Sequence, residues 1–493
     1  MKAFRAFLAN QWLLCSPPIL VLVVIASLDN ADKQLLSSSF PILEKTLGWG
    51  AYELGNFSLA NNLAYALSLP VWGWLIHRRS DVKNLQQLLA SACGVWGLAT
   101  IGIAVVTRAS DVSMPSPLSS SVSRNLQVAV RSINGMALGS ILPLSQSLLS
   151  EYVPENLRGQ AFGMLGAGEK LAGTLASTCI VWLGDYWYYV YYVLGLVSVA
   201  MGLVAHYMSR ITYISTQQSK MNDEYNKQAS NNESDVLDDS GMVNDSGDFA
   251  NDHGKNLSLR QIIKRIIRLP AFICLVAQGV FGGTPWDMMS FLLLLMDWKG
   301  FTKEQIALIQ ITSGFSSMLG GWFGGVMGDY AARGLFGGRK SSQGRIILAL
   351  ASVILGIPLY GLFLYSTNYS WALLWMNLFQ LTATWAPPAA IRPICVDLTN
   401  GPSERAQIVA LWIVLEKLSG ALFGAPLVGY LTNRMITSED HEATNNKDKA
   451  EALAFNLFLL SGIFWGICAF FWFVMLITTQ RTQIRTSHKN FGV

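Results

Sequence analysis

Runs of about 20 apolar residues alternate with short polar breaks along most of this chain. A bilayer core about 30 Å thick takes that many helical residues, because lipid offers the backbone no hydrogen-bond partner. The runs predict spans near 17–42, 52–76, 84–107, 125–149, 159–183 and 187–209. A second set falls near 269–295, 303–328, 344–366, 371–395, 405–432 and 453–478. The expected fold is an all-α membrane protein of twelve transmembrane helices in two pseudo-symmetric six-helix bundles.

The stretch between the sets has a different texture. Residues 211–257 are rich in Asn, Asp and Ser and nearly free of aromatics. Such a segment cannot bury enough apolar surface to offset the entropy of ordering, so a disordered cytoplasmic linker is expected. Ser258-Leu259-Arg260-Gln261 then has the pattern of a capping box. Behind it Leu259, Ile262, Ile263, Ile266 and Ile267 form an apolar face, and Arg260, Lys264 and Arg268 a basic one. That predicts an interfacial helix lying on an anionic membrane surface. The expected organisation is a first bundle over 1–210, the linker over 211–257, the interfacial helix and second bundle over 258–480, and a cytoplasmic tail over 481–493.

Composition fits this reading. The chain has 493 residues, 52% apolar and 13% charged, about half the charge of a soluble domain at roughly 25%. Most of the 35 Lys and Arg fall on the side of the chain termini, including Arg78, Arg79, Lys83, Arg333, Arg339, Lys340, Arg345, Arg481, Arg485 and Lys489. By the positive-inside rule both termini are cytoplasmic, in the plasma membrane or an organelle membrane. The run from Pro17 to Ile25 continues into a full span, so no cleavable signal peptide is expected. Cys15, Cys93, Cys179, Cys274, Cys395 and Cys468 lie singly, with no metal-ligand spacing, and read as packing residues.

The chain also repeats itself. Arg158, Gln160, Glu169-Lys170-Leu171 and Gly173 recur as Arg405, Gln407, Glu416-Lys417-Leu418 and Gly420 at one constant offset. Earlier in each half, Gly48-Trp49 and Gly73 recur as Gly300-Phe301 and Gly325, with His77 opposite Asp329. Duplication of a six-helix unit explains both blocks and predicts an alternating-access architecture.

With these motifs in place, the sequence resembles the major facilitator superfamily over nearly its whole length outside the linker. The loop after the second span, Gly73-Trp74-Leu75-Ile76-His77-Arg78-Arg79-Ser80-Asp81-Val82-Lys83, keeps Gly73 and Arg78 of the family pattern, with His77 in the acidic position. Its second-half counterpart keeps Gly325 and Asp329, followed by Arg333. Arg131-Ser132-Ile133-Asn134-Gly135 in the fourth span and Val153-Pro154 to Arg158-Gly159 also resemble family patterns. Asn30-Ala31-Asp32-Lys33-Gln34-Leu35-Leu36, Trp96 and the segment Gly328–Arg345 look most like spinster-like carriers and related plant and protist members. The resemblance implies a secondary transporter with gating loops at Gly73/Arg78 and Gly325/Asp329/Arg333. It also implies a cavity lined by the first, fourth, seventh and tenth helices.

Ionisable groups at bilayer depth cost at least about 2.5–3.5 kcal/mol each on insertion scales, so they need partners and mark pathways. Asp29, Asp32 and Lys33 share one helix face. Asp29 and Lys33 have the pairing i, i+4 orientation, which leaves Asp32 for another partner. By resemblance this triplet and Arg131 face the cavity. Arg131 is either an anion anchor or the structural partner of Asp29 or Asp32; Asn377 stands at its place in the second half. Glu169 and Lys170 are adjacent, as are Glu416 and Lys417, so neither pair can close on itself and each group needs a partner on another helix. These four read either as structural ion pairs between the bundles or as substrate and proton groups. Asp287 is expected to reach water near the outer end of its span.

Potential negative charges thus exceed positive ones by one, and a protonatable acid is what proton coupling requires. Asp32 and Glu169 or Glu416 are the expected proton sites, with Arg131, Lys170 and Lys417 expected to hold an anion. Gly320, Gly324 and Gly328 read as a packing stripe. Gly334–Ser341 resembles a P-loop, but Arg339 stands where a glycine must be; Gly166-Ala167-Gly168 lacks the third glycine of a dinucleotide fingerprint. No enzyme, metal, cofactor or nucleic-acid partner is expected. The expected function is proton-coupled transport, by a monomer, of a small organic or amphiphilic solute, with an anionic, lysolipid-like one among the options. An uncoupled facilitator and a non-transporting sensor are the alternatives.

Overall fold

Pro17 opens the first helix, at a position where its missing N–H is no loss. α1 (Pro17–Ser38) and α2 (Phe40–Leu47) turn the first apolar run into helix with one break at Ser39. Gly48 stops it in the left-handed region (φ 65°), its N–H on the Glu44 carbonyl at 3.0 Å. Glycine takes that conformation without a Cβ clash. The chain continues as α3 (Ala51–Arg78), α4 (Val82–Ala109), α5 (Ser120–Tyr152), α6 (Arg158–Leu183) and α7 (Tyr188–Arg210).

The second half opens with α8 (Pro270–Met288), a 3-10 turn (Met289–Phe291) and α9 (Leu292–Trp298). Gly300 (φ 79°) ends α9 as Gly48 ends α2. Then come α10 (Lys303–Arg333), α11 (Ser342–Tyr365), α12 (Tyr369–Ala383), a π turn (Pro387–Ile391), α13 (Pro402–Phe423), α14 (Ala425–Ser438) and α15 (Asn446–Asn490). This computed structural model describes residues 16–78, 81–111, 120–153, 158–210, 270–333, 342–391, 394, 402–438 and 445–490. The expected linker (211–257) and interfacial helix (258–268) lie outside them, as do the side chains of His77 and Arg333.

The described residues form no strand, and seven of their helices are long and apolar enough to cross a membrane. Each predicted apolar run is helical where described, with breaks the sequence pattern did not show. The run 371–395 stops at Ala383, ahead of Pro387 and Pro388, and 405–432 is interrupted at Gly424. α15 runs on through Asn490, well past the predicted end at 478.

Within the first half α1 packs on α6, and α3 and α4 pack on α5; within the second, α8 packs on α13 and α15, and α12 on α10 and α11. Glycines set many of these distances. A Cβ on Gly135 would overlap the Asn61 carbonyl oxygen of α3, and one on Gly97 would stand 2.6 Å from the Gly195 carbonyl of α7. The stripe Gly320, Gly324, Gly328 lies against Leu381, Trp385 and Ala389 in the same way, as a packing stripe should. The halves meet where α3 crosses α13 and α14 and where α6 crosses α10.

Gly135→Ala should therefore lower the melting temperature in detergent, by the equivalent of about 1–3 kcal/mol of overpacking. Gly73 has nothing within 4 Å of where its Cβ would stand, so Gly73→Ala should leave it unchanged. Equal effects of the two changes in differential scanning fluorimetry would contradict the packing argument.

Candidate functional site

Charged groups sit in two places. One is a hub inside the first half. Asp32, 1% exposed, accepts from Trp96 Nε1 at 2.8 Å and Thr100 Oγ1 at 2.5 Å on α4, and from Asn134 Nδ2 at 3.4 Å on α5. Asn61 of α3 donates to Asn134 Oδ1 and to the Arg131 carbonyl, both at 3.1 Å. Arg131, also 1% exposed, donates to Tyr191 Oη of α7 at 2.9 Å, its guanidinium between the Phe57 and Tyr191 rings. Tyr191 in turn meets Ser39 Oγ at 2.6 Å. One polar network thus ties α1, α3, α4, α5 and α7 together, and it places Asp32 and Arg131 in packed interior.

The second half keeps the position but not the charge. Asn377 donates to Thr312 Oγ1 at 3.0 Å and accepts from Ser316 at 2.7 Å.

The other group of charges gathers between the halves. Lys33 Nζ is 2.6 Å from Asp29 Oδ2, as the i, i+4 spacing implies, and lies 4.7 Å from the Tyr65 ring centroid. It feels Glu169 of α6, whose backbone carbonyl is held by Asn30 Nδ2 at 2.6 Å. Lys170 feels Glu169 and Lys417; Lys417 feels Asp287, Glu416, Tyr65 and Lys33. Helices α1, α3, α6, α8 and α13 therefore bring Asp29, Lys33, Glu169, Lys170, Glu416 and Lys417 into one electrostatic neighbourhood. Asp287 belongs to it as well. The residue as a whole is part-exposed, while its Oδ2 is enclosed without a hydrogen-bond partner, against Gly420 and Gly424. The cause is the missing Cβ atoms: the two glycines open a niche that a hydropathy profile cannot register.

The end of the molecule opposite the chain termini is closed. Leu36, Phe40, Leu43, Leu54 and Phe57 from the first half pack with Phe291, Leu294, Val428, Leu453 and Trp465 from the second in one core. Phe40 and Phe291 stand 5.0 Å apart between ring centroids. Above it Lys45 pairs with Asp297 at 3.0 Å, and Glu44 accepts from Trp298 Nε1 at 2.8 Å with Lys449 at 3.9 Å. Lys45 and Asp297 each stand three residues before the glycine that ends their helix, so the repeat pairs them by symmetry. Burial pushes the Glu44 carboxyl above its usual range, against the pull of Trp298 and Lys449. Nearby Lys299 Nζ donates to the Leu364 and Ser366 carbonyls at 2.6 and 2.9 Å, capping α11, and burial pushes its amine down to about 8.

Of the expected gating residues, Asp329 accepts from Arg345 at 2.7 Å, while Arg345 also donates to the Ala389 carbonyl at 2.9 Å. In the first half Gly73 faces open space and Arg78 lies over the Trp74 ring at 5.4 Å. Gly325 sits in α10 between Gly324 and Gly328. Among the described residues no cluster of His, Cys, Asp and Glu could hold a metal ion.

An all-helical chain that crosses the membrane several times and collects charges between its halves is in the class of membrane transporters. It belongs to the Major Facilitator Superfamily, whose family model matches residues 22–425. The chain is 28% identical over 183 residues to the multidrug export protein EmrB of Escherichia coli (strain K12), covering 35% of this chain and 30% of EmrB. It is 26% identical over 146 residues to the probable triacylglyceride transporter ML0556 of Mycobacterium leprae (strain TN), covering 29% and 26%. The chain thus matches under a third of the length of these relatives. In fold it is similar to an inward-facing, unoccupied bacterial homologue of the human lysosomal transporter Spinster (TM-score 0.67, 14% identity, 94% of this chain and 97% of the other).

Two predictions follow from the ends of the molecule. Opening the closed end would return Glu44 to water and to an ordinary carboxylate value, so the closed form binds its proton more tightly. Acidification should favour the closed form, and alkalinisation through the raised Glu44 value should favour opening; Glu44→Gln should abolish the response. Distances between spin labels across this end, measured against pH, test it: an unchanged pH response in Glu44→Gln would refute it. At the other end, Asp329 holds Arg345, whereas Arg78 in the first half lies over the Trp74 ring. Asp329→Asn should lower transport several-fold, and Arg78→Gln should do less; the reverse order in vesicle uptake would sink the asymmetry.

Proposed function

We propose that this chain is a proton-coupled secondary transporter of a small organic or amphiphilic anion, lysolipid-like in size, working by alternating access. In this reading twelve helices form two six-helix bundles, the termini are cytoplasmic, and a monomer suffices. The observation that carries it is the gathering of Lys33, Lys170 and Lys417 with Asp29, Glu169, Asp287 and Glu416 between the halves. A cluster drawn from both halves changes its internal distances whenever the halves rock, so ligand, proton and conformation act on the same groups. An apolar plug at one end supports the same reading, because alternating access needs one end sealed at a time.

Roles divide by surroundings. Lys33, Lys170 and Lys417 attract the anionic group. Glu169, which faces Lys33 of α1, and Glu416, which faces Asp287 of α8, take and release protons. Asp32 has three donors around it and Arg131 a tyrosine partner, which suits a fixed charge pair that holds the first half together.

Reconstitution of the full chain into vesicles separates the alternatives. Candidate substrates come from a thermal-shift screen of the purified protein against anionic and neutral lysolipids and small organic anions. Glu416→Gln should keep substrate exchange at equal pH and lose accumulation driven by a pH gradient, by tenfold or more. Asp32→Asn should lower the melting temperature, since it weakens a buried charge-assisted network worth about 1.5–3 kcal/mol per bond. Wild-type exchange with no response to the gradient would leave an uncoupled facilitator. Binding without exchange would leave a sensor.

A further inference from the structure

The charges between the halves do not balance, and the packing locates the imbalance. Asp29 is closed by Lys33 at 2.6 Å, and Glu169 and Lys170 add one charge of each sign on α6, so neither shifts the net count. What is left is Asp287 on α8 and Glu416 with Lys417 on α13: two carboxylates and one base.

Helices α8 and α13 interlock through absent side chains. A Cβ on Gly279 would run into the Trp412 indole, and one on Gly283 would stand 2.8 Å from Glu416 Cδ. In the other direction a Cβ on Gly420 would collide with the Asp287 carboxylate, and one on Gly424 would stand 2.8 Å from Asp287 Cβ. Each helix thus lodges a carboxylate in a glycine notch of its partner. Thr284 and Ser419 hydroxyls, 2.8 Å apart, lie between the two notches.

The surroundings offer little other charge. From α15 come Cys468, against Gly282 and the Gln278 amide oxygen, and the apolar face carrying Trp465 and Trp472. Tyr65 of α3, Lys33 of α1 and Lys170 of α6 reach the site only through Lys417. Asp287 Oδ2 is sealed from solvent and has no hydrogen-bond partner. Two ionised carboxylates beside one ammonium, at a helix contact at bilayer depth, would leave an uncompensated negative charge. A proton carried by either acid removes it. The notches hold the two carboxylates one helical turn apart, so the two titrate as a coupled pair with the proton on one of them at a time.

We propose that Asp287 and Glu416 form one proton-binding site in which the two carboxylates hold a single proton beside Lys417. This deepens the coupling role given to Glu416 above and rests on that reading for its meaning in transport; Asp287 enters as its second member. The proton balance is simple. At rest one acid is protonated and the other neutralises Lys417. When an anion binds Lys417, the second carboxylate loses its counter-charge and takes a second proton, so one proton accompanies each negative charge.

The site can be read without substrate or gradient. Infrared spectra of the purified full-length protein in lipid, recorded in H2O and D2O, should show one buried protonated-carboxyl band. Asp287→Asn and Glu416→Gln should each abolish it, because the remaining acid then pairs with Lys417. Lys417→Gln should about double its intensity, since both acids then carry protons. Asp32→Asn, in the other charged network, should leave it in place. A band that persists in both single variants, or that disappears in Asp32→Asn, would overturn the proposal. Asp287→Glu keeps the acid while changing its reach; it should restore a shifted band if loss in Asp287→Asn reflects chemistry and not misfolding, and no band there would also overturn the proposal. A correct band pattern with no pH-driven accumulation would refute proton coupling while leaving the site itself standing.

Discussion

The constraint on which the rest of this structure depends is that no charge at bilayer depth can borrow water as its partner. Every ionised side chain there must be met by protein groups, and the two halves meet it differently. In the first half Asp32 and Arg131 are held by five helices through Trp96, Thr100, Asn134, Asn61 and Tyr191. Removing one member would leave buried donors or a bare charge, so the network behaves as a unit. In the second half neutral amide and hydroxyl bonds around Asn377 do the same mechanical job without charge. The first half is therefore tied through Asp32 and Arg131, and the second through neutral groups.

Close approach is the second requirement. Apolar side chains gain nothing by leaving lipid for one another, so helices in a membrane are held by contact at short range. Glycine permits that contact and, in doing so, decides where the polar groups end up. Gly173 receives Asn30 and Gln34 of α1, while Gly420, its counterpart in the repeat, receives Asp287 of α8. The duplicated glycine keeps the duplicated helix contact, yet an amide occupies the niche on one side and a carboxylate on the other. Packing and charge are thus specified together at the same residue.

Much of this could be read from the chain alone, for definite reasons. The apolar runs gave the helices because bilayer thickness fixes their length. The Asp29–Lys33 pair follows from spacing on one helix, and the stripe Gly320, Gly324, Gly328 from its period. The remainder depends on contacts between helices distant in sequence. No local pattern assigns Trp96 and Thr100 to Asp32, or lodges Asp287 Oδ2 against Gly420 near the end of an apolar run. The breaks after Ala383 and at Gly424 were masked by strong hydrophobicity on both sides, which reports depth in lipid and not helix continuity. The Lys45–Asp297 pair was within reach: opposite charges at matched places before Gly48 and Gly300 are the expected signature of two repeats meeting across a pseudo-twofold axis.

That pair also shows why the closed end is a separable device. Lys45 is well exposed, and an ion pair of that kind contributes about 0.2–1 kcal/mol. By itself it could not hold two halves together. The apolar core beneath it, from Phe40 and Phe57 to Phe291 and Trp465, excludes water over a much larger area and supplies the greater part of the closing free energy. Glu44 sits between the two regimes, half-buried, bonded to Trp298 and near Lys449. Because it is shielded, titratable and bonded across the two halves at the edge of the core, it is where a change in proton activity can bias a closure that hydrophobic contact otherwise dominates. The molecule therefore separates the contact that closes this end from the group on which proton activity acts.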